Sequence, residues 1–242
     1  MTDSIQERFQ LVNQKIEKAC LDSGRAREEV HLIVVTKGHT ADSIIKVVKA
    51  GGTILGENYP EETISKIEEI DKTVKPSWHM IGHLQSRKIK LMHPAFDCIH
   101  SIDSLGLAQK LNRYYEERES IIDVMLEVNI SGEESKFGFN ARSSQNKDSL
   151  FSIFEEICSL PHLKTIGLMT MPPYAKEPAQ NEACYNLCQE FSEDIREKFG
   201  LIDFRQLSMG TSADFETAIK CGATYIRVGE AIMGKRINPK NK

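Results

Sequence analysis

The chain has 242 residues, enough for one large domain or two small ones. Its net charge of −4 gives no basic field that would attract nucleic acid or an anionic membrane, and 40% hydrophobic with 27% charged residues is typical of a soluble globular protein. The apolar runs are strand-sized, and residues 1–4 lack the basic and apolar regions of a signal peptide. We therefore expect a cytoplasmic protein without a membrane segment, whose six cysteines, none in a C-x-x-C pair, are reduced thiols.

The first predicted element is a helix over residues 4–22, where apolar side chains recur at helical spacing and Ser4 with Glu7 forms a capping box. After this helix, short apolar segments alternate with helical segments. The predicted strands are 30–37, 53–57, 78–82, 97–102, 124–129, 165–169, 204–208 and 223–228. The predicted helices are 41–50, 58–71, a short one from Ser86, 104–118, 148–159, 179–198, 212–221 and a short one from Gly229.

Eight strands that are each followed by a helix predict an α/β fold, a (β/α)8 TIM barrel with the extra N-terminal helix packed outside it. An open doubly wound sheet usually has fewer strands, and no G-x-G-x-x-G motif follows the first strand. We find no linker and predict one domain over residues 1–242, with a frayed tail at 236–242. The longest loops, 131–147 and 170–178, are expected to form a rim or lid.

Lys37 ends the first predicted strand, after an apolar run from Val30. In parallel α/β folds the carboxyl ends of the strands form the ligand-binding face. A lysine whose amine is desolvated there can form a Schiff base with a carbonyl compound. The alternative is a surface lysine whose amine extends into water.

Two glycine-containing turns suggest a phosphate site on the same face. The turn at 208–214 contains Gly210, which lets a ligand approach the backbone, and the hydroxyls of Thr211 and Ser212. The second turn, at 229–231, precedes a short helix, and barrels often bind phosphate with the loops after strands seven and eight. Ordinary helix capping by Thr211 and Ser212 is the alternative.

Three further side chains have more than one interpretation. Arg227 either faces the barrel mouth or pairs with a carboxylate in the helix layer. His79 and His83 have the spacing of helical metal ligands but lie across a strand and a turn, so we predict no metal and a hydrogen-bonded histidine at the barrel end.

A lysine and a phosphate site together predict a phosphorylated carbonyl compound bound as an imine. Two classes fit this description. One is pyridoxal 5′-phosphate (PLP) bound to Lys37. The other is a Schiff-base aldolase that acts on a sugar phosphate.

Several motifs occur in a defined order at 34–37, 56–59, 78–86, 129–138, 208–214 and 227–229. Together they closely resemble the pyridoxal phosphate homeostasis proteins, the YggS/PROSC group, over roughly residues 30–235. The resemblance implies a fold-type III PLP barrel related to the N-terminal domain of alanine racemase. It also implies that Lys37 is the aldimine lysine, that Asn58 lines the pocket and that Arg227 faces the pyridine nitrogen. The implied phosphate ligands are Ser208, Thr211 and the amides of Gly229 and Glu230.

The function implied by the resemblance is PLP homeostasis, with PLP held reversibly on Lys37 and passed to PLP-dependent apoenzymes. An arginine at the ring nitrogen disfavours ring protonation and weakens carbanion chemistry, so the interpretation leans away from an enzyme. A racemase of this type takes its second base from another domain, and we expect none after strand eight and therefore a monomer. The alternative is an amino-acid racemase with a minimal active site.

Overall fold

Alternating strands and helices build the protein. The computed structural model describes residues 4–70, 74–133, 135–173 and 181–235. The strands are β1 (His31–Val35), β2 (Ile54–Glu57), β3 (Ser77–Met80), β4 (Phe96–Ile102), β5 (Ile122–Asn129), β6 (Phe139–Asn140), β7 (Leu163–Met169), β8 (Gln206–Thr211) and β9 (Tyr225–Val228). The α-helices are α1 (Ile5–Asp22), α2 (Ala41–Lys49), α3 (Pro60–Glu69), α4 (Leu105–Glu116), α5 (Ser144–Cys158), α6 (Glu182–Phe199), α7 (Phe215–Lys220) and α8 (Glu230–Met233), and 3-10 helices cover Arg27–Glu29 and Ser86–Leu91.

The parallel sheet closes on itself. Its order is β4-β3-β2-β1-β9-β8-β7-β5, and pairing of β4 with β5 completes the barrel. The short β6 pairs only with Val128 and Asn129 at the end of β5. The structure therefore confirms the predicted (β/α)8 barrel with an N-terminal helix.

The barrel wall separates two groups of buried side chains. Outward-facing residues such as Val34, Leu55 and Leu126 join the helices in the main hydrophobic core. A smaller apolar cluster, Cys98, Met125, Ile166 and Met169 with Tyr225, is separate from that core. Because side chains alternate along a strand, this second cluster fills the inside of the barrel.

Helix α1 packs outside the barrel against α7 and α8, as predicted. Its capping box is present, with Ser4 and Glu7 bonded reciprocally. Arg8 Nε donates a hydrogen bond to the carbonyl of Ile232 at 2.6 Å. Arg25 Nη1, just beyond α1, donates to the carbonyls of Ile219 and Ala223, each at 2.8 Å. The beginning of the chain thus holds its last helices.

Three predicted boundaries near the site are wrong. Strand β1 ends at Val35, so Lys37 lies in the turn that follows. Helix α3 begins at Pro60, with Tyr59 as its N-cap, rather than at residue 58. Strand β8 continues to Thr211, because its register shifts after Ser208 and the chain pairs with β9 again at Thr211. Helix α7 therefore starts only after Asp214, and neither Thr211 nor Ser212 caps it.

The predicted loop 131–147 contains more structure than expected. It includes β6 and the first turn of α5, whose N-cap Ser143 accepts a hydrogen bond from the amide of Asn146. The first turn of α5 is polar, so the apolar pattern of the sequence did not mark the start of this helix. Glu134, the helix end predicted at Asp71, most of the loop 170–178, the helix start predicted at 179 and the tail 236–242 lie outside the described residues. Among the described helices, none has the length and apolar character needed to span a membrane.

Candidate functional site

The peptide before Lys37 is fixed by a buried network on the outer side of the barrel wall. Thr36 is fully buried and donates a hydrogen bond from Oγ1 to Glu57 Oε1 at 2.6 Å. The Thr36 carbonyl accepts from Lys66 Nζ at 2.8 Å, and Lys66 Nζ lies 2.5 Å from Glu57 Oε1. Burial raises the pKa of Glu57, and the charge of Lys66 opposes that effect. Thr36 points outward, and Lys37 follows it in the turn, where it lines the cavity at the barrel mouth.

The peptide after Lys37 is held by Glu62, which itself pairs with Lys66. Gly38 has a φ of 72° and donates its amide to Glu62 Oε1 at 2.6 Å. Glu62 in turn lies 2.7 Å from Lys66 Nζ. The half-buried Lys37 is therefore flanked on both sides by backbone that is tied to Lys66.

Sequence reasoning missed this network, although signals were present. Glu57 is an acid within an otherwise apolar strand, which implies a buried partner. Glu62 and Lys66 have the i,i+4 spacing of a helical ion pair.

Lys37 lines a cavity of about 420 Å³ at the mouth of the barrel. Val35 and His39 border it on the β1 side, and Gly229 with Glu230 border it on the α8 side. Lys235 and Gly234 complete the lining. The cavity therefore joins the predicted reactive lysine to the start of the last helix.

The start of α8 lies close against β1. A Cβ on Gly229 would lie 3.3 Å from Val35 Cβ, so a side chain there would crowd the strand. The Gly229 amide donates to Ser212 Oγ at 3.1 Å. The next amide, that of Glu230, is at the first position of α8, where helix geometry supplies no intrahelical acceptor. Amides in such positions attract anions.

Arg227 lies inside the barrel rather than in the helix layer. Its neighbours Ile226 and Val228 belong to the outer core, whereas Tyr225 packs against the inner cluster. Arg227 is 4% exposed and donates from Nη1 to Ser208 Oγ at 2.6 Å and from Nη2 to the Thr170 carbonyl at 3.0 Å. Burial lowers the pKa of this guanidinium, which nonetheless remains charged at neutral pH.

Asp214 organises the turn after β8. Its Oδ1 accepts from the Thr211 amide at 2.7 Å and from Thr211 Oγ1 at 3.0 Å. Its Oδ2 accepts from Asn181 Nδ2 at 2.8 Å and from the Tyr185 hydroxyl at 2.6 Å. The Thr211 amide is thus committed to Asp214.

Asn58 follows β2 and lies against Gly82. A Cβ on Gly82 would come within 2.6 Å of Asn58 Cα, so this contact requires glycine. The buried Oδ1 of Asn58 has no hydrogen-bond partner within the described parts of the chain. An unpaired buried acceptor of this kind is costly unless a ligand or water donates to it.

Glu127 is a buried carboxyl that sequence reasoning did not single out. Its neighbours Leu126 and Val128 belong to the outer core and Met125 to the inner cluster, so Glu127 points into the barrel. It is 8% exposed, and its Oε2 has no partner among the described residues. Burial raises its pKa to about 7, with Asp103 acting in the same direction and Arg227 against it.

The predicted site residues fall into separate groups. Lys37, Gly229 and Glu230 share the mouth cavity. Ser208 and Arg227 form one buried hydrogen bond. Thr211 is bonded to Asp214 beyond β8, and Asn58 lies beside Gly82 after β2.

His79 and His83, considered above as a pair, contact different residues. His83 Nδ1 lies 2.9 Å from Asp103 Oδ2, and its ring stacks on Phe137 with centroids 3.7 Å apart. His79 instead contacts His100, with His79 Nδ1 2.9 Å from His100 Nε2.

Comparison with known proteins agrees with this geometry. The family described as "Alanine racemase, N-terminal domain" matches residues 21–237. A pyridoxal phosphate homeostasis protein of Haemophilus influenzae is 34% identical over 234 residues, which cover 96% of each chain. The chain belongs to the pyridoxal phosphate homeostasis protein family.

Solved structures support the same relationship. A protein of unknown function from Bifidobacterium adolescentis superposes with a TM-score of 0.86 at 31% identity, covering 94% of each chain. PipY of Synechococcus elongatus, solved with PLP bound, superposes with a TM-score of 0.78 at 29% identity, covering 91% of this chain and 100% of PipY. The family resemblance predicted from the sequence motifs is therefore confirmed.

Proposed function

We propose that this chain binds PLP in intracellular PLP homeostasis, acting as a single-domain, cytoplasmic monomer that holds PLP covalently and reversibly on Lys37. The proposal depends chiefly on one observation: Lys37 shares a cavity with the start of α8. PLP homeostasis proteins at 34% identity and a PLP-bound relative support the choice of ligand.

The donors around the cavity fit a phosphorylated aldehyde. PLP supplies an aldehyde that condenses reversibly with an amine. The Lys37 Nζ would replace the aldehyde oxygen, which leaves as water. The network around Thr36 and Lys66 fixes the main chain on both sides of Lys37, which lowers the backbone ordering that binding costs.

Phosphate would bind at the amides of Gly229 and Glu230, with the Ser208 hydroxyl as a donor and the Thr211 hydroxyl as a second donor once it leaves Asp214 Oδ1. Glu230 lies at the first position of α8, so its amide has no helical acceptor, whereas Gly229 donates to Ser212. Phosphate binding therefore predicts that Ser212 rotates away or donates its own hydroxyl proton to the phosphate.

Arg227 favours a carrier over a racemase. Its guanidinium lies inside the barrel and carries a permanent positive charge. A permanent donor at the ring nitrogen of PLP would keep that nitrogen unprotonated and limit its capacity as an electron sink. Asn58, whose Oδ1 lacks a partner in the described structure, would complete the pocket wall.

Borohydride trapping tests the covalent site. Purified protein is incubated with PLP, reduced with borohydride and mapped by peptide mass spectrometry. We expect the reduced adduct on Lys37 and its loss in Lys37→Ala. Lys235→Ala is the matched control, because Lys235 lines the same cavity. An adduct that stays at full yield in Lys37→Ala would refute the assignment.

Transfer and turnover are separated in a second experiment. The PLP-loaded protein is mixed with a PLP-dependent apoenzyme, and the activity regained is compared with that given by an equal amount of free PLP. A carrier restores activity, whereas no recovery would contradict that role. In parallel, single amino-acid enantiomers are incubated in deuterated water, and exchange at the α-carbon would support the racemase alternative.

A further inference from the structure

Three potential metal ligands meet inside the barrel, below the cavity that contains Lys37. They are His79 on β3 and Cys98 with His100 on β4. Their ligand atoms all lie within 4.8 Å of one another, and all three side chains are buried, with at most 4% exposure. No part of the proposed PLP function uses them.

The distance between the two ring nitrogens is close to that in a metal site, and all three ligand atoms lie within 4.8 Å of one another. In tetrahedral zinc sites with metal–nitrogen bonds of about 2.0–2.1 Å and metal–sulfur bonds of about 2.3 Å, the ligand atoms lie roughly 3.3–3.6 Å apart. The two ring nitrogens are 2.9 Å apart. Displacements of a few tenths of an ångström would bring them to the spacing that an ion between them requires.

The cluster is not satisfied by its own hydrogen bonds. The contact between His79 Nδ1 and His100 Nε2 uses one nitrogen of each ring. The buried Nδ1 of His100 has no partner within the described residues. A metal bound at His100 Nε2 would leave this Nδ1 as the N–H of the ring, so the unpaired atom is not itself a ligand and would take water as its acceptor.

Carboxylates near the opposite end of the barrel act on the cluster, and the buried Arg227 guanidinium acts on His100 with the opposite charge. Asp97 and Asp123 lie near the starts of β4 and β5, and their negative charge acts on Cys98. Asp97 also acts on His79. Asp97 and His31 are exposed, whereas Asp123 and Tyr225 are half-buried. This end of the barrel is remote from Lys37, which follows the carboxyl end of β1.

We propose that His79, Cys98 and His100 form a binding site for a borderline divalent transition metal such as Zn²⁺, inside the barrel and separate from the PLP site. Two imidazoles and one thiolate are ligands that Zn²⁺ prefers. One proton leaves the Cys98 thiol for solvent as the sulfur–metal bond forms.

Cobalt titration tests the site directly, since Co²⁺ replaces Zn²⁺ and reports thiolate ligation by a near-ultraviolet charge-transfer band. Reduced, chelator-treated protein is titrated with Co²⁺ in the presence and absence of PLP. We expect one ion per chain, a thiolate band in both preparations and displacement by Zn²⁺. Cys98→Ser should abolish the band, and His100→Gln should weaken binding more than tenfold.

Matched controls separate ligation from folding. Cys188→Ser removes another fully buried thiol, on α6, and should keep the band. His162→Gln alters a histidine that contacts the Ser120 carbonyl and should leave the affinity unchanged. Borohydride-trapped PLP on each variant reports folding of the barrel mouth.

Wild-type protein gives a test that needs no substitution. X-ray absorption of the Zn²⁺-loaded chain should show one sulfur and two imidazole nitrogens around the metal. Absence of stoichiometric Co²⁺ binding, a thiolate band that survives in Cys98→Ser, or a metal shell without sulfur would each overturn the proposal.

Discussion

Replacing Glu127 by glutamine should change the way stability depends on pH. Glu127 points into the barrel at 8% exposure, and burial with Asp103 nearby raises its pKa from 4.5 to about 7. In the unfolded chain this carboxyl has its ordinary pKa. The folded protein therefore holds a proton that the unfolded chain has already released between pH 4.5 and 7.

The sign follows from this difference in bound protons. Where the folded state binds more protons than the unfolded state, the free energy of unfolding falls as pH rises. Glu127 thus contributes a loss of stability that develops between pH 4.5 and about 7 and is complete above it. At about 1.36 kcal/mol per pH unit for one proton, the loss is about 3 kcal/mol.

Glutamine has nearly the same shape and carries no charge at any of these pH values. The free energy of unfolding of Glu127→Gln, relative to the wild type, should therefore rise by about 2–3 kcal/mol between pH 5 and 8. Urea unfolding of PLP-free wild type and variant, followed by circular dichroism at each pH, gives this difference directly. Other titrating groups, including Asp123 and Glu57, occur in both proteins and cancel.

Glu17→Gln is the matched control, because Glu17 is an exposed glutamate on α1. Its stability difference from wild type should stay within about 0.5 kcal/mol. A flat difference between wild type and Glu127→Gln from pH 5 to 8 would show that Glu127 is ionised throughout, and the reasoning from its burial would be refuted.

Two further substitutions test contacts that hold the backbone around Lys37 and Asn58. Lys66→Met leaves the fully buried Glu57 without its cation and should lower the free energy of unfolding by about 3–5 kcal/mol at pH 7. Adding Glu57→Gln should recover part of this loss. A loss below about 1 kcal/mol would argue against the buried pair. Gly82→Ala places a Cβ within 2.6 Å of Asn58 Cα and should cost about 1–3 kcal/mol in urea unfolding. Gly106→Ala, where a Cβ meets nothing within 4 Å, should be neutral or stabilising, and equal effects of the two glycine variants would contradict the steric explanation.

The barrel itself was predictable because its signal is repeated. Each apolar segment is short, each is followed by helical periodicity, and errors at single ends leave the alternation intact. The positions of α1 and Lys37 relative to the barrel followed from chain order alone. Thr40 caps α2, since its Oγ1 accepts a hydrogen bond from the Ser43 amide at 3.4 Å.

The details of the site depend on long-range contacts that a linear pattern does not contain. Helix α7 was expected to start near Thr211, since hydroxyl residues are good caps, but β8 pairs with β9 again at that residue and delays the helix. The partner of Glu57 is Lys66, and only the packing of α3 on β2 brings them together. His79 was considered with the nearby His83, yet the adjacent strand supplies His100.

The hydrogen bonds from Arg8 in α1 and from Arg25 just after it to residues in and near α7 and α8 bear on the order in which the protein folds. Arg8 bonds to Ile232 across 224 positions, and Arg25 bonds to Ala223 across 198. Contacts of such separation close late in folding. Helix α8, which carries the proposed phosphate amides, is thus secured by a segment synthesised 224 positions before it. The protein would gain its capacity to bind ligand only when synthesis of the barrel is essentially finished, so a nascent chain would not sequester the cofactor before it could fold around it.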